Sequence, residues 1–156
     1  MSISFKNELF RENLKKITMK KIFYFSLFLL ASFTSAQIVE ISDTSFKNAL
    51  IELGVDTNND GEIQLTEAYA TVQDLNLNNK NISDLTGIKS FVNVKKLFCG
   101  PNNLVSVDLS GMTNLEHVYL GRNYLNNVNL SGVTKIQYLY VPDNQISSIN
   151  LSGLIY

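Results

Sequence analysis

From Val72 onward, apolar residues return with a fixed period. The chain aligns on itself as units 72–93, 94–114, 115–135 and 136–156, the first of 22 residues and the others of 21. Apolar side chains occupy unit positions 1, 4, 6, 11 and 14; in the third unit these are Leu115, Val118, Leu120, Leu125 and Val128. Positions 4 and 6 alternate with outward residues, the period-2 pattern of a short strand. A second alternation follows, Val107-Asp-Leu109, Val128-Asn-Leu130 and Ile149-Asn-Leu151, each running into Ser-Gly. It predicts a second short extended segment closed by a glycine turn, with little helix on that side. No unit can bury its own apolar face, so the units must stack and share one continuous core.

Asn102, Asn123 and Asn144 stand at position 9 of the last three units, with Lys80 at that place in the first. The pattern L-x-x-L-x-L-x-x-N-x-L is the leucine-rich-repeat signature. The asparagine is expected to turn inward and satisfy backbone groups freed where the strand ends. Cys99, the single cysteine, falls at inward position 6 and is expected to act as a small buried hydrophobe. With one cysteine, no intramolecular disulfide forms. The units Asn81-Ile-Ser-Asp-Leu-Thr-Gly-Ile88 and Val107-Asp-Leu-Ser-Gly111 resemble those of secreted bacterial leucine-rich-repeat proteins of the internalin-like type. The resemblance covers roughly residues 43–156. It implies an α/β repeat fold: a solenoid of short parallel strands with few helices and a small helical N-terminal cap, whose concave strand face binds a partner, commonly a protein.

Ahead of the units, Asp56-Thr-Asn58-Asn-Asp60-Gly61-Glu62-Ile63-Gln64-Leu-Thr-Glu67 fits D-x-[DN]-x-[DN]-G-x5-E without a mismatch. In such a 12-residue loop Asp56, Asn58 and Asp60 supply side-chain oxygens and Gly61 allows the sharp turn. Glu62 offers a backbone carbonyl, Gln64 acts directly or through water, and Glu67 binds bidentately. The expected ligand is a structural Ca2+ with weak affinity, on the order of 10⁻⁴–10⁻³ M. Thr44 or Ser45 is expected to cap a helix over Phe46–Leu53, and the helix leaving the loop to be short or absent, because Val72 already begins a unit. The cap and its EF-hand-like loop thus span 37–71 and the repeats 72–156.

Upstream, Lys20-Lys21, an apolar run Ile22–Phe33 and small residues Thr34-Ser35-Ala36 follow one another in the order of an export signal. The 12-residue run is short for a membrane span, which needs ~20 residues. Residues 19–36 are therefore expected to be a signal peptide. Residues 1–18 are expected to be an upstream mis-start, and the mature chain to be secreted or displayed on a bacterial surface. The array reaches Tyr156 at the end of a unit with no closing element, so the chain is expected to be a piece of a longer protein.

Charge sharpens this picture. Residues 1–36 hold six basic and two acidic groups; residues 37–156 hold seven basic and twelve acidic. A mildly acidic body has no electrostatic reason to bind nucleic acid. His117 is the only histidine and no nucleophile, phosphate loop or zinc cluster accompanies it, so no catalytic residue is assigned and an enzyme is not expected. Outward strand positions carry an aromatic stripe, Phe98, Tyr119 and Tyr140, with His117 and Tyr138 alongside; Gly100, Gly121 and Pro142 at position 7 are expected to leave room beside it. Such a stripe suits a protein ligand, with a carbohydrate or cell-wall glycan as the alternative. The Asn-x-Ser triplets at 81, 129 and 150 follow from the repeat itself.

Overall fold

The computed structural model describes Lys15 and residues 37–153. The leader read in residues 19–36, and all of 1–18 but Lys15, lie outside the described residues. Residues 37–153 belong to one compact unit.

Two helices open this unit, α1 (Thr44–Glu52) and α2 (Leu65–Ala70). Seven strands follow: β1 (Leu75–Asn76), β2 (Lys96–Phe98), β3 (Ser106–Asp108), β4 (His117–Tyr119), β5 (Asn127–Asn129), β6 (Tyr138–Tyr140) and β7 (Ser148–Asn150). They form two parallel sheets, β1-β2-β4-β6 and β3-β5-β7. Each coil gives one strand to the first sheet, and each of the last three gives one to the second. The molecule is a repeat solenoid with few helices. Equivalent unit positions pair directly: Leu97 with Val118 and Val118 with Leu139, Val107 with Val128 and Val128 with Ile149. Among the described residues no helix is long and apolar enough to cross a membrane.

The core follows the period. Leu75, Leu97 and Val118 at position 4, Leu77, Cys99 and Leu120 at position 6, and Ile82, Leu104 and Leu125 at position 11 are all fully buried. Position 1 behaves differently in the first coil. Val94 and Leu115 are buried, but Val72 is 70% exposed. The chain there is only just leaving α2, and Thr71, the helix C-cap, is the buried residue, its hydroxyl donating to the Glu67 carbonyl at 2.8 Å.

The inward asparagines form the spine of the array. Asn123 donates from Nδ2 to the carbonyls of Cys99 (2.9 Å) and Leu120 (3.0 Å) and accepts the Leu104 N–H (3.0 Å). Asn102 accepts from Lys80 and Ile82 and donates to Leu77, and Asn144 accepts from Leu125 and donates to Leu120 and Val141. Each asparagine thus ties its own coil to the one before. Lys80, which has no such role, pairs its ammonium with Glu52 on α1. Cys99 is buried, and burial pushes its thiol up to about 12, which leaves it unreactive at neutral pH.

The first helix is capped by Asp43, not by Thr44 or Ser45. Its Oδ1 accepts the Phe46 N–H at 2.9 Å, and Oδ2 accepts the Ser83 N–H, the Ser83 hydroxyl and the Asp84 N–H. A carboxylate does both jobs at once; a hydroxyl one or two residues later would reach neither set. Residues 37–43 form a strap. Gly87, at φ +98°, lies so close to it that a Cβ would meet the Glu40 carbonyl oxygen at 2.7 Å. After Gly87 the first coil turns through a 3-10 segment, Ile88–Ser90, and it gives no strand to the second sheet.

Two carboxyls on this framework are held low. Burial raises the Asp43 carboxyl, but donors from Ser83, Phe46 and Asp84 outweigh it. Burial likewise raises Asp108, yet Lys89 and Ser110 bring it to about 2. A depressed folded value contributes stability at pH above the unfolded value and loses it as pH falls through the folded one. Urea midpoints measured against pH are therefore expected to drop between about pH 4 and pH 2, less steeply in Asp108→Asn.

Candidate functional site

Two places gather functional chemistry: the loop Asp56–Glu67 and the outward face of the four-stranded sheet.

The loop sits between the two helices and is built by its own side chains. Asp56 accepts the N–H groups of Asp60 (3.3 Å) and Gly61 (3.0 Å). Asn58 Oδ1 accepts from Asp60 N and Asp60 Oδ1 from Glu62 N. Asp60 Oδ2 then receives both side-chain amides, Asn58 at 3.0 Å and Gln64 at 2.8 Å, so that three of the sequence-derived ligands meet around one oxygen. Asn59 and Gly61 take the left-handed backbone conformation that the turn needs. Asp56, Gln64 and Glu67 are each more than nine-tenths buried.

Glu67 closes the loop. Its Oε1 accepts the Thr57 N–H, the Thr57 hydroxyl and the Asn58 N–H; its Oε2 accepts the Gln64 N–H at 3.0 Å as half of a capping box on α2. Burial raises the Glu67 carboxyl, but these four donors hold it below the ordinary glutamate value. Asp60 is lowered chiefly by the Glu62 N–H and then by the Gln64 amide. The Glu62 side chain turns away to pair with Lys47 on α1 at 2.6 Å, leaving only its backbone carbonyl for the loop.

Among the described residues no three His, Cys, Asp or Glu side chains gather as a metal-binding group. The convergence here is mixed, one carboxylate with two amides, and every donor is oxygen or an amide able to present oxygen. That chemistry fits a hard divalent cation and not a soft one.

The sequence does not advertise the loop's partner. Ile38 bridges antiparallel to Gln64; Val39 N–H donates to Ile63 O at 2.8 Å and Leu65 N–H to Gln37 O at 2.7 Å. The strap thus supplies the pairing strand, while Ile63 at loop position 8 is buried in the core. In the sequence the strap is marked only by a short apolar stretch, Ile38-Val39, and by Ile41 beyond Glu40.

On the sheet face the in-register strands bring the predicted aromatics together. Phe98 and Tyr119 stack with centroids 4.7 Å apart and 14° between planes. Tyr119 lies 5.1 Å from Tyr138 and 6.2 Å from Tyr140, and Tyr138 stacks on Tyr140 at 11°. His117 reaches Tyr138 at 6.4 Å. Beside the rings runs a groove of about 280 Å³ crossing all four coils, lined among others by Asn78, Gly100, Gly121, Arg122, Pro142 and Asp143. No hydrogen bond among the described residues occupies the Tyr119, Tyr138 and Tyr140 hydroxyls, and no buried side-chain polar atom lacks a partner, so these hydroxyls face solvent.

The glycines at position 7 serve a tighter purpose than leaving room. A Cβ on Gly100 would sit 2.1 Å from the Gly121 carbonyl oxygen, so the neighbouring coil already fills that place. Gly100→Ala is expected to push the second and third coils apart, destabilising by about 1–3 kcal/mol, read as a lower urea midpoint with an unchanged slope.

No protein-family model and no curated protein matches this chain.

Proposed function

We propose that this chain is an exported leucine-rich-repeat binding module of the internalin-like kind, not an enzyme. Its strand face takes a protein ligand, and its loop takes one structural calcium ion. The observation that carries the binding half is the aromatic ladder with its solvent-facing phenol rim. Amphipathic rings in a fixed row give large contact area with little side-chain entropy to lose. The rings also favour protein over glycan. Phe98 against Tyr119 and Tyr138 against Tyr140 spend ring faces on one another, and a sugar needs such a face free.

For the ion, Asp56, Asn58, Asp60 and Gln64 with the Glu62 carbonyl would hold it, and Glu67 would complete the set. Calcium supplies charge neutralisation to a loop of four carboxylates whose nearest cation, Lys47, is engaged by Glu62. Bound there, it would stiffen the cap that covers the first coil.

A photo-cross-linking residue at position 140, introduced into the protein produced by its host, tests the binding half. A defined protein adduct that Tyr119→Ala abolishes is expected. Adducts equally abundant from a cross-linker on the opposite sheet, at position 127, would refute it.

A further inference from the structure

A second cavity lies over the turns that follow the four-stranded sheet. Asn79, Pro101, Arg122 and Asp143, at position 8 of their units, form one rim, and Asn81, Asn103 and Tyr124, at position 10, form the other. Between them Asn102 and Asn123 at position 9, buried and held by the hydrogen bonds of the spine, make a firm floor. Each position-10 N–H donates to the position-11 carbonyl of the coil before, Asn103 to Ile82 at 2.7 Å and Tyr124 to Leu104 at 2.9 Å, so these residues line up from coil to coil. The space is about 440 Å³, within the ~300–1,000 Å³ of small-molecule sites.

The chemistry of the rims selects a ligand. Asn79, Asn81 and Asn103 are exposed, and among the described residues their side-chain amides make no hydrogen bond; Asn79 and Asn103 bond only through their backbone N–H groups. An amide presents an acceptor and two donors in one plane, and neighbouring hydroxyls each donate and accept, so the two match in pairs. Tyr124 is 56% exposed, and among the described residues no other ring lies against it. The strand-face rings cover one another's faces, whereas Tyr124 keeps a face for the C–H surface of a sugar ring. Arg122 pairs with Asp143 at 3.5 Å, so the charges that line the cavity balance. A protein ligand takes its affinity from apolar anchors in closed pockets, and here Pro101 and Tyr124 are the only apolar side chains. We infer that this cavity is a binding site for a neutral sugar, with Tyr124 as the stacking platform and the three asparagines as the partners of its hydroxyls. The site is separate from the ladder, and the inference does not rest on the protein-binding reading of the strand face.

The probes are neutral tetrasaccharides of the cello, malto, manno and N-acetylchito series. Each is titrated into the full chain to millimolar concentration by calorimetry, with saturation transfer from the aromatic protons to the sugar. Saturable binding of at least one is expected, insensitive to salt, with transfer strongest at the C–H protons of one ring face. Tyr124→Ala should weaken it about tenfold and Asn103→Ala about three- to tenfold, both with an unchanged urea midpoint because both side chains are exposed. Tyr124→Phe, which keeps the ring, should hold it within about twofold. Tyr69→Ala, an exposed ring on α2, should leave it unchanged. Absence of saturable binding by every probe, or binding that Tyr124→Ala leaves intact, overturns the inference. Binding lost in Tyr119→Ala and kept in Tyr124→Ala would move the sugar to the strand face and overturn it as well.

Discussion

Asn123→Leu is expected to destabilise the chain by about 3–5 kcal/mol, more than any other single change in the repeats. Leucine keeps the branching of the side chain, is larger and adds apolar surface, so an argument from apolar burial alone predicts little loss. Hydrogen bonding decides the sign. The Leu104 N–H has Asn123 Oδ1 as its acceptor at 3.0 Å, and the Cys99 carbonyl takes Asn123 Nδ2 at 2.9 Å. Both are stranded by the substitution in a part of the core that water does not reach, each at a cost of about 1–3 kcal/mol. The Leu120 carbonyl is spared, because Asn144 also donates to it. Asn144→Leu makes the internal control. Its bonds are of the same kind, but they are only partly buried and water can replace them. A loss of about 1–2 kcal/mol is expected there. Solenoids need not unfold in one step, so urea midpoints should be paired with hydrogen exchange at the Leu104 amide. That amide should lose protection in Asn123→Leu and keep it in Asn144→Leu. Equal losses in the two variants would show that position in the stack, not burial of the bonds, sets the cost.

That contrast marks what the amino-acid pattern could reveal. The 21-residue period places the core residues at unit positions 1, 4, 6, 11, 14 and 16 from Val94 to Leu130, because every coil solves the same burial problem against a similar neighbour; Met112 and Val133, at position 19, are buried without having been singled out by it. The inward turn of Asn102, Asn123 and Asn144 follows from the same periodicity, and the aromatic row follows from in-register parallel pairing. Legibility fails where the neighbour changes. Val72 has a helix before it and not another coil, so the position-1 rule does not hold there. Asp43 caps α1 because Ser83 and Asp84, forty residues on, demand the same carboxylate, and a local capping rule cannot see them. The tight contact at Gly100 is invisible for a related reason: small residues at one position read equally as open space and as close backbone approach, and only the 2.1 Å that a Cβ there would leave to the Gly121 carbonyl oxygen separates them. The spacing marks the loop Asp56–Glu67 and its turn at Gly61, whereas the segment that pairs with it, residues 37–39, carries no motif.

At 10 mM calcium the protein is expected to gain about 1.4–2.7 kcal/mol, the mass-action value for a dissociation constant on the order of 10⁻⁴–10⁻³ M. The melting temperature should rise by about 5–15 °C, with magnesium much less effective because it accepts only tight octahedral shells. Calorimetry gives the affinity and thermal melts the gain. Asp60→Ala should abolish both, because Asp60 is where the Asn58 and Gln64 amides meet. It also removes the acceptor of the Glu62 N–H and of the two amides, so the calcium-free melt should fall modestly, less than in Glu67→Gln. Glu67→Gln should lower the melt even without calcium, since an amide nitrogen replaces one of two buried acceptors, Oε1 for the Thr57 N–H or Oε2 for the Gln64 N–H. The two variants therefore separate ion binding from loop closure. Asp60 and Glu67 both carry depressed values, so the calcium gain should persist into mildly acid solution and vanish only as pH falls through their folded values. A gain that Asp60→Ala leaves intact would move the ion to another place on the chain. No heat up to 10 mM would make the loop a self-closed polar turn held by its own hydrogen bonds, with binding at the strand face untouched.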